Sequence, residues 1–228
     1  MYAFPMPRLA RVDIGGEIYH VINRANGRMQ IFNEKEDYLL FEKLLKEAKE
    51  LTDMRILAYI LMPNHWHLVL YPRKDGDLGL FMHRLTNAHT RHVHTRTKTI
   101  GSGHLYQGRY KSFIVDIDKY LLSLIKYVER NPVRAKLVRT CENWQWGSAW
   151  CRINGNAKEK KLLDPSPSPL PHGYCHWINT PDKEDELSVI RHALNKGVPY
   201  GRNRWVDAMV TKYHLESTLR SAGRPKKV

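Results

Sequence analysis

Between Asp77 and Asp116 the sequence holds no acidic residue, while Arg84, Arg91, Arg96, Lys98, Arg109, Lys111 and five histidines fall in that gap. Across the chain 37 Lys and Arg face 23 Asp and Glu, a formal charge of +14. A surplus of this size steers polyanions and makes their binding salt-sensitive, so nucleic acid is the expected partner. A solvated basic face would produce the same run; next to a metal site it points to phosphate contact. Cysteine is scarce too. Cys141, Cys151 and Cys175 form neither the even set of a disulfide framework nor a C-x-x-C zinc pair, which suits a reducing, cytoplasmic, DNA-associated setting. No run approaches the ~18 apolar residues of a membrane span. The opening Met-Tyr-Ala-Phe-Pro-Met-Pro-Arg lacks a charged segment followed by an apolar one, so neither secretion nor membrane insertion is expected. No internal repeat is present. With 228 residues, 42% of them hydrophobic, the chain can bury one domain and an appendage.

Hydrophobic periodicity supplies the elements. Residues 17–23 alternate as a first strand, followed by an Asn26-Gly27 turn. Asn33 with Glu36 resembles a capping box for a helix carrying Tyr38, Phe41, Leu45 and Ala48 on one stripe. Residues 55–62 and 65–71 form a hairpin through Pro63-Asn64. Leu78, Phe81, Leu85, Ala88 and His92 mark a second helix, and residues 110–116 a fourth strand. The order β-α-β-β-α-β is the ferredoxin-like arrangement, an α+β fold with an antiparallel sheet and two helices on one face. An additional helix with the apolar positions Leu121, Leu124, Ile125 and Val128 follows. Trp144, Trp146 and Trp150 read as packing at the end of this core. The run from Asp164 to Pro171 reads as a stiff linker. The expected division is a domain over 1–150, a Pro-rich linker over 151–183 and a small helical appendage over 184–228. The tail from Gly223 to Lys227 reads as a disordered basic end or a short minor-groove hook.

His65-Trp66-His67 begins the second hairpin strand. Side chains alternate along a strand, so the two imidazoles leave one face with their backbones ~6–7 Å apart, while Trp66, Leu68 and Leu70 point to an apolar layer opposite. Tyr127 and Asn131 are four apart on the additional helix and therefore neighbours. Pro132 places Asn131 at or near that helix's end. If Asn131 reaches a metal held by the histidines, the Tyr127 hydroxyl lies within reach of a phosphate on it. Two histidines in ordinary strand hydrogen bonds are the plain alternative. Tyr120 is a competing nucleophile, but the residue four further on is Leu124, which cannot ligate a metal. His20, His83, His89, His92, His94 and His104 are read as surface or buried hydrogen-bonded residues and left outside the metal shell.

The segments Gly16-Glu-Ile-Tyr-His-Val-Ile-Asn-Arg-Ala-Asn26, Leu61-Met-Pro-Asn-His-Trp-His67, Gly103-His-Leu-Tyr-Gln-Gly-Arg-Tyr-Lys111 and Tyr127-Val-Glu-Arg-Asn-Pro-Val-Arg-Ala135 carry a resemblance. Over about residues 8–150 the sequence resembles the single-tyrosine HUH transposases, more closely the REP-associated tyrosine transposases. The resemblance implies that Tyr127 is the nucleophile and that His65, His67 and Asn131 hold Mg²⁺ or Mn²⁺. Wider relatives often place a glutamine where Asn131 stands. It implies cleavage and strand transfer of single-stranded DNA beside a repetitive palindromic hairpin, through a 5′-phosphotyrosine and a free 3′-hydroxyl. Gln107, Arg109 and Lys111 are candidate DNA contacts, as are Arg84, Arg91 and Arg96 of the acid-free run; Arg134 is read as a phosphate contact or a helix cap. A monomer is expected, with pairing, common in the wider family, as the alternative. Two other classes stay open: a metal-dependent nuclease using water, and a noncatalytic single-strand-binding module.

Overall fold

Strand β1 occupies Ile18–Arg24 in the computed structural model, which describes residues 11–220. It starts and ends one residue later than the alternation suggests, and this makes Arg24 a strand residue. Helix α1 (Lys35–Thr52) opens at Glu34 and not Asn33: Asp37 accepts from the backbone N–H of both Glu34 and Asn33, at 3.1 and 2.8 Å. The box is real but shifted by one position. β2 (Arg55–Met62) and β3 (His65–Tyr71) are the expected hairpin. α2 runs over Asp77–Thr97, beyond His92, and β4 is Lys111–Val115. The strands hydrogen-bond in the order β2-β3-β1-β4, all antiparallel, which is the expected ferredoxin-like topology.

The sheet separates two apolar cores. Trp66, Leu68 and Leu70 meet Phe41 and Leu45 of α1 and Phe81 and Leu85 of α2 on one side. On the other, Ile18, Leu57, Ile60, Val69 and Phe113 meet Leu121, Leu124, Ile125 and Val128 of α3 (Lys119–Glu129). The short α4 (Asn131–Arg134) follows directly. Trp146 then stacks on Tyr38, ring centroids 4.6 Å apart, and the Trp144 indole N–H donates to Leu61 O at 2.9 Å.

Next come α5 (Ser148–Asn154), α6 (Ala157–Lys160), α7 (Tyr174–Asn179), α8 (Glu184–Lys196), α9 (Asn203–Lys212) and α10 (Glu216–Leu219). The Pro-rich stretch lies against the sheet. Asp164 exchanges hydrogen bonds with Ile56, both 2.8 Å, and pairs with Lys49 at 2.7 Å, and Ser168 Oγ accepts from Asp118 N–H at 2.8 Å. Leu187, Ile190 and Ala193 of α8 enter the α3-side core, and Trp205 and Met209 of α9 pack on the other. Both outer strands are lined by this half of the chain. Trp146, Ser148, Arg152 and Asp164 bond the outward groups of β2 from Ile56 to Leu61. Tyr200 pairs with the far side of β4 by taking Asp116 N–H and donating to Ile114 O, at 2.8 and 2.9 Å. The tail from Gly223 to Lys227 lies outside the described residues.

Glu129, at the end of α3, has no exposed surface. Its carboxylate accepts from Ser148, Arg152 and Tyr174, which joins α3 to α5 and α7. Glu129→Ala would leave the Arg152 guanidinium buried without its carboxylate. A loss of about 3–5 kcal/mol in urea unfolding is expected; a loss below ~1 kcal/mol would show that the network holds nothing together.

Candidate active site

Strand pairing builds the site floor on the α3 side of the sheet. His67 sits opposite Ile22, His65 opposite Arg24, and His20 opposite Val69, so these side chains share a face. The His65 and His67 rings lie 5.2 Å apart at 73°. Each imidazole is tied at Nδ1. Asn64 Nδ2 donates to Arg28 O at 3.3 Å, which turns its Oδ1 toward His65 Nδ1 at 2.6 Å. His65 must therefore carry its proton on Nδ1, and Nε2 is left with a lone pair. His67 Nδ1 meets His20 Nε2 at 2.8 Å, and the remaining nitrogen of His20 is buried without a partner among the described residues.

Burial keeps these rings neutral, which a metal ligand requires. It lowers His65 to about 4, with help from Arg24, and His20 to about 3. His67 falls well below its ordinary value, through burial and then the neighbouring His20 and His65. His89, in the opposite core with Nδ1 2.6 Å from the Tyr106 hydroxyl, is lowered to about 3 by burial. An unfolded histidine titrates near ~6.5, so below that pH the unfolded chain binds more protons than the native one. Stability is thus full above pH ~6.5 and falls as the pH drops toward the native values, by up to ~1.4 kcal/mol per pH unit for each such histidine. The melting temperature of metal-free protein should already decline between pH ~6.5 and ~5, before most carboxylates titrate; a flat profile there would contradict neutral buried rings.

Tyr127 stands over this floor. Its ring is edge-on to His67 at 6.0 Å and to His20 at 6.3 Å, 6% of the residue is exposed, and its hydroxyl makes no hydrogen bond among the described residues. Burial raises its pKa, against the pull of Arg134, Arg191 and Arg24. The helix breaks shortly after it, and the cause is local. Pro132 has no N–H for the carbonyl of Val128, and Asn131 Nδ2 replaces that donor, bonding Val128 O and Tyr127 O at 3.1 Å each. The amide is thereby oriented, with Oδ1 left as acceptor. Arg134 lies 4.4 Å over the Tyr127 ring, donates to Tyr127 O and pairs with Asp182 at 3.0 Å. Its guanidinium is engaged inside the protein.

Among the described residues no three His, Cys, Asp or Glu side chains gather as a metal site. The Asn131 carboxamide, anchored through its nitrogen, is held beside Tyr127. Neutral imidazoles anchored at Nδ1 and an amide anchored at Nδ2 suit a divalent cation that also needs open positions for phosphate oxygens.

The remaining candidates divide between the two sides of the sheet. Arg84, Arg91 and Arg96 lie on α2, behind the Trp66 face, and Arg96 pairs with Asp37. Gln107, Arg109 and Lys111 line a cavity of about 410 Å³ with Arg24 and Asn195. That loop is fixed by Gln107 N–H to Arg24 O at 2.9 Å, and by a Tyr106 hydroxyl shared with Trp66 and His89. A larger cavity, about 550 Å³ around Glu42, Tyr59 and Trp150, opens on the α1 side, away from the histidines. His20, expected as a surface or buried hydrogen-bonded residue, is the latter and braces His67; the places of Asn64 and Arg24 at the site were not anticipated from the sequence. The alternation of β1 was the available signal for His20 and Arg24, since both share Ile22's face.

The family described as "Transposase IS200 like" matches residues 16–131, just over half of the chain. Among solved structures, a REP-associated tyrosine transposase bound to a REP hairpin is similar at 17% identity and a TM-score of 0.49, with 72% of this chain and 89% of that one covered. A putative transposase from Deinococcus radiodurans R1 is similar at 16% identity and a TM-score of 0.38, covering 60% and 92%. No curated protein matches.

Proposed function

The chain belongs to the IS200-like transposase family, and on that premise we propose that it cuts and rejoins single-stranded DNA through Tyr127, with His65, His67 and Asn131 holding a divalent cation. The observation that carries this reading is the Tyr127 ring set edge-on to His67 at 6.0 Å, its hydroxyl without a hydrogen-bond partner among the described residues. The neighbouring His65, His67, Asn131 and Arg134 are each held by hydrogen bonds.

In the proposed step the phenolic oxygen of Tyr127 bonds to phosphorus while the bond from phosphorus to the preceding 3′ oxygen breaks. The phenol loses its proton, the departing 3′ oxygen gains one, and a 5′-phosphotyrosine remains. Attack by another 3′-hydroxyl reverses the exchange and joins the strands; one ester replaces another, so no nucleotide cofactor is consumed. A bound Mg²⁺ or Mn²⁺ supplies Lewis acidity toward the phosphate oxygens. Asn64 holds His65 and His20 holds His67 in ring orientation, and Asn131 keeps its oxygen available by donating through nitrogen. Arg134, stacked on the phenol, opposes the burial that holds its proton on. The substrate class is single-stranded DNA next to a hairpin, as the sequence resemblance implies.

The test is incubation with labelled hairpin oligonucleotides carrying single-stranded flanks, with Mn²⁺, read on a denaturing gel. A covalent protein–DNA band supports the reading; metal-dependent cutting with only free ends makes the chain a water-using nuclease, and binding without cutting makes it a noncatalytic module.

A further inference from the structure

We propose that Arg24 grips the non-bridging oxygens of the phosphate at which the strand is cut, and that the next phosphates run through the cavity lined by Gln107, Arg109 and Lys111. This rests on the reading of Tyr127 as nucleophile only for which phosphate is meant. Three guanidinium groups act on the Tyr127 phenol: Arg134, Arg191 and Arg24. Arg134 pairs with Asp182 at 3.0 Å, and Arg191 pairs with Glu184 at 2.7 Å. Among the described residues Arg24 makes no ion pair and its Nε is buried without a hydrogen-bond partner. A buried donor left in this state destabilises the protein unless a ligand supplies the acceptor.

Its position names the ligand. Arg24 is the pairing partner of His65 on β3 and leaves the same face of the sheet as His65 and His67, so its side chain starts beside the histidines over which Tyr127 stands. The same side chain forms one wall of the cavity of about 410 Å³, and no carboxylate lines it. Asn23 Nδ2 donates to Gly108 O at 3.3 Å and Gln107 N–H donates to Arg24 O at 2.9 Å, which holds the opposite wall on β1. A guanidinium presents N–H groups in a fork that matches two oxygens of one phosphate, and a lysine cannot reproduce it.

The test is a binding cycle in the full chain carrying Tyr127→Phe, which prevents turnover. Hairpin oligonucleotides with one neutral methylphosphonate linkage, moved stepwise along the single-stranded flank, are compared for Arg24, Arg24→Gln and Arg24→Lys by fluorescence anisotropy in chelator, so that no cation contributes to holding the phosphate. At one linkage, the one cut by unmodified protein, neutralisation should weaken binding by about 10-fold with Arg24 present and by under about 2-fold with Arg24→Gln. Arg24→Lys should fall between them, and neither variant should melt lower, since the Nε–H has no partner to lose. Additive effects at every linkage would overturn the proposal, as would a lowered melting temperature in both variants, which would make Arg24 structural. If unmodified protein forms no covalent product, the nucleophile assignment falls while the cycle still reads Arg24; if the product forms and the cycle is additive, Arg24 alone falls.

Discussion

Tyr127→Phe should remove the covalent protein–DNA product entirely, a fall of at least about 10³-fold, while leaving fold and oligonucleotide affinity nearly unchanged. The contrast follows from the environment of the ring. The aromatic body packs in the α3-side core and against His67 and His20, so phenylalanine fills the same space. The hydroxyl makes no hydrogen bond among the described residues, so its deletion leaves no stranded partner. Because burial raises the phenol's pKa, the ionised fraction is small at neutral pH, and adduct formation should accelerate as the pH rises through that range. Cutting that persists in the phenylalanine variant, with free 5′ ends, would place water in the attacking role. An adduct that persists would move the chemistry to another phenol, with Tyr120 first in line.

Removing the cation should be nearly as severe. Chelation of unmodified protein is expected to lower cleavage by at least about 10²-fold, reversibly on adding Mn²⁺, and His65→Ala should lower it similarly without rescue. His65 is the better position to change than His67, which is almost fully buried between His65 and His20. Calorimetric titration with Mn²⁺ gives the direct reading. His65→Ala should abolish binding at micromolar metal, and His20→Phe should weaken it by about 10- to 100-fold, because His67 loses the partner that fixes its ring. Cleavage that survives chelation at full rate would refute a metal-dependent site.

The parts of the site visible in the sequence are those set by local periodicity. His65 and His67 are two apart on a strand, and Tyr127 and Asn131 are four apart across a helix joint; both spacings put side chains together without knowledge of anything distant. His20 and Arg24 come from a strand far earlier in the chain, His20 lying 47 residues before the His67 it touches. Their place beside the histidines depends on the register of β1 against β3. A register error of one residue would have sent them to the opposite core. The acid-free basic run shows the same limit. It spans α2 and the loop before β4, which pack together and share a cavity of about 420 Å³ that Arg109 also lines, but Arg84, Arg91 and Arg96 sit on α2 behind the Trp66 face while Arg109 and Lys111 also line the cavity beside Arg24. Composition also reads the prolines after Asp164 as a spacer, whereas Asp164 accepts from Ile56 N–H on β2 and Ser168 Oγ accepts from Asp118 N–H ahead of α3, which fastens that stretch to the domain.

The lining of both outer strands has a consequence for how this molecule meets others of its kind. A bare strand margin is a template on which a further chain can lay itself down and begin aggregation. Here Gly147 bridges Ile60 at one margin and Tyr200 bridges Val115 at the other. Residues beyond the family-matched segment therefore act as bumpers, and a fragment cut back to that segment would expose two adhesive rails.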